Sequence, residues 1–197
     1  MNIAFFASHS GSNFQTIVEN IKSGYISANA TLLVTNNSDA FAIERSKNLG
    51  IDYIHISSAQ FDTAEEFQKK LISILDDYKI DLIVLAGYMR KIPITLIKKY
   101  KNRILNIHPA LLPKYGGQGM YGMNVHQAVY EAEDKVSGAT VHLVNEEYDE
   151  GRILKQMQVK LDNGDTPELI AQKVLKIEHK LYSDTIKEIA EGKILLD

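Results

Sequence analysis

Five short segments, residues 3–7, 31–35, 53–56, 81–85 and 104–107, are apolar almost throughout instead of at every second position. A strand with one face in water alternates polar and apolar side chains, so a strand apolar on both faces must be covered on both. Between these segments, stretches 13–22, 40–49 and 63–78 carry apolar residues at helical spacing. Strands of this kind alternating with helices form a parallel sheet held between two helical layers. The pattern predicts an α/β chain with a Rossmann-like, doubly wound, mostly parallel sheet. At 197 residues and 45% hydrophobic side chains there is material for one domain with a full core, and no repeat or linker marks off a second.

Beyond Pro113 the texture changes. Residues 114–122 hold four glycines and two tyrosines, the composition of an exposed loop. A helix is expected over 124–133, followed by two alternating strands, 137–144 and 153–159, around an acidic turn at 145–151. Strands joined so closely pair antiparallel, so the sheet is expected to gain at least one antiparallel strand. Thr166, with Pro167 and Glu168 behind it, suits the N-cap of a last helix that runs to about Glu191 and stops at Gly192.

Charge and composition remove several classes of function. A net charge of -3 and a pI near 6.1 leave no extended basic surface, so neither nucleic acid nor an anionic membrane is expected as a partner. Without cysteine there is no disulfide, thiolate nucleophile or cysteine metal site, and the six histidines lack metal-ligand spacing, so no metal is expected. No apolar run reaches membrane-spanning length and the first residues do not read as a signal peptide; the expected address is cytoplasmic.

Asn106 and His108 close the fifth apolar segment and Pro109 follows. Two residues apart on a strand, their side chains point the same way, so a carboxamide donor and an imidazole can converge on one atom. Acyl transfer needs that pair: a donor for a developing oxyanion, and a group that moves protons near neutral pH. A histidine before a proline is more often structural, but this one ends a parallel strand, where open α/β sheets place their ligands. Asp149, in the acidic turn, could orient such a histidine and stabilise its imidazolium; alone it is ordinary turn chemistry. Gly11-Ser12-Asn13 opens the first helix, where backbone N–H groups and the helix dipole can hold a phosphate, although the full GxGxxG fingerprint is absent. His9, His55, His126 and His179 read as structural, His142 less so because its strand leads into the Asp149 turn, and Glu178 by itself reads as a solvated helix residue.

Taken in order, Gly11-Ser12-Asn13, Leu85-Ala86-Gly87-Tyr88-Met89-Arg90, Asn106 to Pro113, Gly138-Ala139-Thr140-Val141-His142, Asp149-Glu150-Gly151 and Glu178-His179 resemble the motifs of the folate-dependent phosphoribosylglycinamide formyltransferases of purine biosynthesis, over nearly the whole chain. The resemblance implies the formyltransferase fold, with residues 1–100 as a nucleotide-binding half and 101–197 as a folate-binding and catalytic half. It implies Asn106, His108 and Asp149 as catalytic trio, with His142 in support. Gly11, Ser12, Asn13 and Glu178 would bind the phosphate and ribose of glycinamide ribonucleotide. Leu85, Met89, Arg90, Lys91, Ile92, Ile97, Ile104, Asn106, Val144 and Asn145 would face the co-substrate 10-formyltetrahydrofolate. The partners implied are these small molecules, for a monomer or weak homodimer.

Three departures from the family pattern stand out. His9 and Ser10 occupy places usually held by glycine or another small residue. Leu175 falls where many relatives have a polar residue reaching the phosphate, a contact Lys173 or Lys176 could replace. The loop 116–124 is longer than in some relatives and could close over substrate. Other formyl-folate enzymes share the Asn, His and Asp pattern. The tRNA enzyme is expected to carry a C-terminal RNA-binding domain and the hydrolase an N-terminal regulatory one, neither of which is read here. A sugar-amine formyltransferase and a non-catalytic folate or nucleotide binder remain alternatives.

Overall fold

The computed structural model describes residues 1–196. Its centre is one seven-stranded sheet. Five parallel strands come first: β1 (Asn2–Phe6), β2 (Asn29–Thr35), β3 (Asp52–His55), β4 (Leu82–Leu85) and β5 (Ile104–His108). β6 (Val136–Leu143) then runs antiparallel to β5, and β7 (Ile153–Lys160) antiparallel to β6, in the order β3-β2-β1-β4-β5-β6-β7. The chain builds outward from β1 to β3 and returns to place β4 on the other side of β1. The crevice between β1 and β4 is therefore the point at which an open α/β sheet offers room for a ligand.

Side-chain alternation on β1 shows why both faces must be apolar. Ile3, Phe5 and Ala7 enter one core with α1 (Ser12–Lys22) and the long α6 (Pro167–Ala190), whereas Ala4 and Phe6 enter another with α3 (Ala64–Asp77) and α4 (Ile94–Lys99). Phe5 meets Phe14 of α1 edge to face, with ring centroids 5.1 Å apart. α2 (Phe41–Leu49) and α5 (Met123–Glu131) complete the cover. α4 and a single 3-10 turn, Ser58–Gln60, were not legible in the apolar pattern: six residues make less than two turns, too few for helical periodicity to show.

α6 is tied to the sheet by a buried polar contact. The hydroxyl of fully buried Tyr182 lies 3.1 Å from the carbonyl oxygen of Leu85 and 3.0 Å from that of Leu105, near the ends of β4 and β5. Tyr182→Phe keeps the ring but strips these carbonyls of a donor. It should cost on the order of 1–2 kcal/mol in urea denaturation; an unchanged midpoint would show that the hydroxyl does not matter to stability.

Candidate active site

The C-terminal ends of β1, β4 and β5 open into a cleft of about 630 Å³, within the range of small-molecule sites. Its floor at one end is the β1–α1 turn. Gly11, N-cap of α1, takes a left-handed φ of 68°, and a Cβ there would stand 2.8 Å from that of Ala42. Glycine thus satisfies both the conformation and the close approach of α2. With neither a side-chain cap nor an acidic residue in its first turn, α1 presents backbone N–H groups and the positive end of its dipole to the cleft. Ser8 joins this turn to the end of β4: its N–H donates to Gly87 (3.0 Å), and its hydroxyl accepts from the Met89 N–H (2.8 Å).

Asn106 and His108 project from β5 into the middle of the cleft, opposite Asp149. His108 Nε2 lies 2.7 Å from the carbonyl oxygen of Tyr115, which can only accept, so Nε2 carries a proton. Nδ1 is then the face that exchanges a proton, and it lies 3.4 Å from Asp149 Oδ2. Burial holds the His108 imidazole below its ordinary pKa; the Asp149 charge and the Tyr115 carbonyl recover part of the shift. Burial alone would raise Asp149, but the adjacent His142 and His108 rings and the N–H of Gly117 outweigh it and keep the carboxyl low. Near neutral pH the site therefore rests with an ionised Asp149 beside an imidazole that can receive a proton.

His142, on β6 and directly opposite Asn106, repeats the logic one strand over. Its Nδ1 is 2.9 Å from the Leu143 carbonyl and so bears the proton in the neutral ring, which leaves Nε2, 3.1 Å from Asn106 Nδ2, to accept. That contact engages one N–H of the Asn106 amide and leaves the second for a ligand. His142 Nε2 is also 3.5 Å from Asp149 Oδ1.

A smaller recess continues from the trio between β4, α4 and the turn after β6. Leu85, Arg90, Lys91, Ile92, Ile97, Val144 and Asn145 line it, as does Asn106, and the Lys91 ammonium sits 5.1 Å from the Tyr148 ring centre at its rim. Met89 faces the larger cleft. Ile104 faces neither: at 1% exposure it lies in the core with Leu96, Ile97 and Tyr100, beneath the helix that the apolar pattern did not reveal. It supports the recess from below.

Asn13 and Glu178 meet at the helical end, where Asn13 Nδ2 donates to Glu178 Oε2 at 2.8 Å. Burial pushes the Glu178 carboxyl up to about 7, against the pull of Asn13. A folded-state value above the unfolded 4.5 contributes stability that is complete below 4.5 and is lost as pH rises through about 7. Between pH 5 and 8 the unliganded protein should accordingly lose about 2 kcal/mol more than Glu178→Gln, which cannot ionise. Denaturant titrations at both pH values would measure the difference, and parallel losses would contradict the assigned burial.

Three further expectations change. Lys173 is not free for a phosphate, because its ammonium is bound by Asp162 and Asp165 in the turn before α6. The loop at 114–122 is more than an exposed connection: the Tyr115 carbonyl holds His108 and the Gly117 N–H donates to Asp149 at 3.0 Å. These are backbone groups, which leave no residue-type signal beyond the glycines. His126, read as structural, is 5% exposed and lines the cleft. Among the described residues no cluster of three or more His, Cys, Asp or Glu is placed to hold a metal, and no helix is long and apolar enough to cross a membrane.

The pattern that defines the formyl transferase family matches residues 1–186. The chain belongs to that family. It is 43% identical over 193 residues to the chloroplastic phosphoribosylglycinamide formyltransferase of Arabidopsis thaliana, covering 98% of this chain and 66% of that protein. It is 35% identical to the phosphoribosylglycinamide formyltransferase of Escherichia coli, covering 98% and 89%. Among formyl transferase family structures, glycinamide ribonucleotide transformylase 1 from Symbiobacterium toebii superposes with a TM-score of 0.92 at 34% identity, covering all of this chain and 91% of that one. The chain thus spans about two thirds of the length of the plant relative and most of the bacterial one.

Proposed function

We infer that this chain transfers the formyl group of 10-formyltetrahydrofolate to the amine of glycinamide ribonucleotide in purine biosynthesis. The observation that carries the reading is the convergence of Asn106, His108 and Asp149 where the helix-floored cleft meets the recess. The α1 end of the cleft, with Gly11, Ser12 and Asn13, suits a phosphate, and Glu178 suits the ribose hydroxyls. The recess, apolar at Leu85, Ile92, Ile97 and Val144 with polar groups along the 144–149 turn, suits a flat pterin. On this reading residues 1–100 supply the phosphate turn and 101–197 the reacting groups, with the two halves sharing the ligands: Glu178 serves the ribonucleotide, and Leu85, Ile92 and Ile97 face the pterin.

As the amine attacks the formyl carbon, Asn106 offers its free N–H to the developing oxyanion, and His108, taking up at Nδ1 the proton the amine sheds, adds its charge until that proton passes to the leaving folate nitrogen. Asp149 stabilises that imidazolium and helps the amine's proton reach the leaving folate nitrogen, directly or through water. His142 engages the other N–H of the Asn106 amide. Fixing both substrates across one cleft supplies a further large part of the rate. Every described group is contributed by one chain, so a monomer or weak homodimer suffices, and a cytoplasmic address completes the reading.

The deciding experiment is a formyl-transfer assay with 10-formyltetrahydrofolate, with and without glycinamide ribonucleotide. Formylated product that depends on the ribonucleotide is the expected result. Folate deformylated without acceptor would instead assign a hydrolase, and turnover only with amino sugars a sugar-amine transferase.

A further inference from the structure

A phosphorylated acceptor brings close to two negative charges to the α1 end of the cleft, and few side chains there can answer them. Of the cation-capable groups lining the cleft, Arg90 also lines the recess, while His108 and His126 stand with the trio and the glycine loop. Arg45 lies outside the lining and donates through Nε to the Ser10 carbonyl at 2.9 Å, holding the turn from behind. Lys173 is bound by its aspartates, and the wall across from the turn is Leu175, apolar and 38% exposed. His9 remains. Its backbone is anchored, the His9 carbonyl accepting from the Ala42 N–H at 3.0 Å, while its side chain is exposed at the cleft rim two residues before Gly11. Asn13, only 7% exposed and lining the same end, keeps its Oδ1 without any hydrogen-bond partner, an acceptor that suits a sugar hydroxyl of the ligand beside the phosphate and leaves the phosphate itself to donors.

We propose that His9 is a specificity-determining residue, its imidazole N–H binding the acceptor's terminal phosphate together with the α1 backbone N–H groups. The inference rests on the formyl-transfer reading above. A rigid turn with one free imidazole gives a charge-assisted donor on an ordered backbone, and a phosphate gains from it what a hydroxyl does not. His9 thereby sorts phosphorylated from unphosphorylated acceptors without touching the reacting atoms.

The test compares KM for glycinamide ribonucleotide with KM for the dephosphorylated glycinamide riboside, in the wild type, His9→Ala and His9→Lys. The ratio of riboside to ribonucleotide KM should fall on the order of 3- to 10-fold in His9→Ala, as suits a solvent-exposed hydrogen bond to a charged phosphate. It should return toward wild type in His9→Lys, and inorganic phosphate should inhibit His9→Ala more weakly by a similar factor. A ratio unchanged within about twofold overturns the proposal, as does an equal loss on both substrates. Absence of ribonucleotide-dependent turnover in the wild type would be a different result, and would remove the formyl-transfer reading itself.

Discussion

Replacing His108 by asparagine should lower turnover by a factor on the order of 10² to 10⁴ and leave the protein folded. Asparagine can still offer an N–H to an oxyanion, so the substitution isolates what a carboxamide cannot do, which is to accept and release a proton. In the present geometry Nε2 is committed to the Tyr115 carbonyl, and Nδ1 alone faces Asp149 and the cleft. Stability should fall by only about 1 kcal/mol, the worth of the lost hydrogen bond to Tyr115. Measuring kcat beside a thermal melt separates the two effects. Near-normal turnover in a folded variant would remove His108 from the chemistry.

The second large effect is structural in origin. Gly151→Ala should destabilise the protein by about 3 kcal/mol, because a Cβ at this position would stand inside the contact distance of the Leu143 carbonyl oxygen and of its carbon. The neighbours are backbone of β6, which cannot rotate away as a side chain can, so the turn between β6 and β7 must shift. Asp149 lies two residues earlier with a left-handed φ of 59°, and the shift should carry its carboxylate away from His108 and His142. Urea denaturation and turnover should fall together. A variant of wild-type stability would mean that the hairpin adjusts freely and does not fix Asp149.

The sheet was legible because its strands are apolar on both faces, a pattern few other architectures require. Asn106 and His108 were legible for a related reason, since a strand fixes which side chains share a face. What stayed hidden depends on contacts without a residue-type signature. α4 was too short to show a period, and Ile104, given to the folate wall by the resemblance, is packed in the core with Leu96 and Ile97 of that helix. The capture of Lys173 by Asp162 and Asp165 depends on how the chain turns before α6. The parts played by Tyr115 and Gly117 belong to their backbones and would be the same for many side chains. His142 could be suspected from its strand, but its grip on Asn106 follows only from the β5–β6 register.

The two ends of the cleft are built from different parts of the sheet. The acceptor end is a turn between the first strand and first helix, whereas the trio stands on β5 and on the turn that follows β6. Residues in the first turn can therefore be exchanged, as His9 and Ser10 illustrate, while the reacting groups keep their spacing. A lineage built on this plan can drift in which amine it serves without surrendering the reaction it performs, and recognition and chemistry become separately heritable traits of one small sheet.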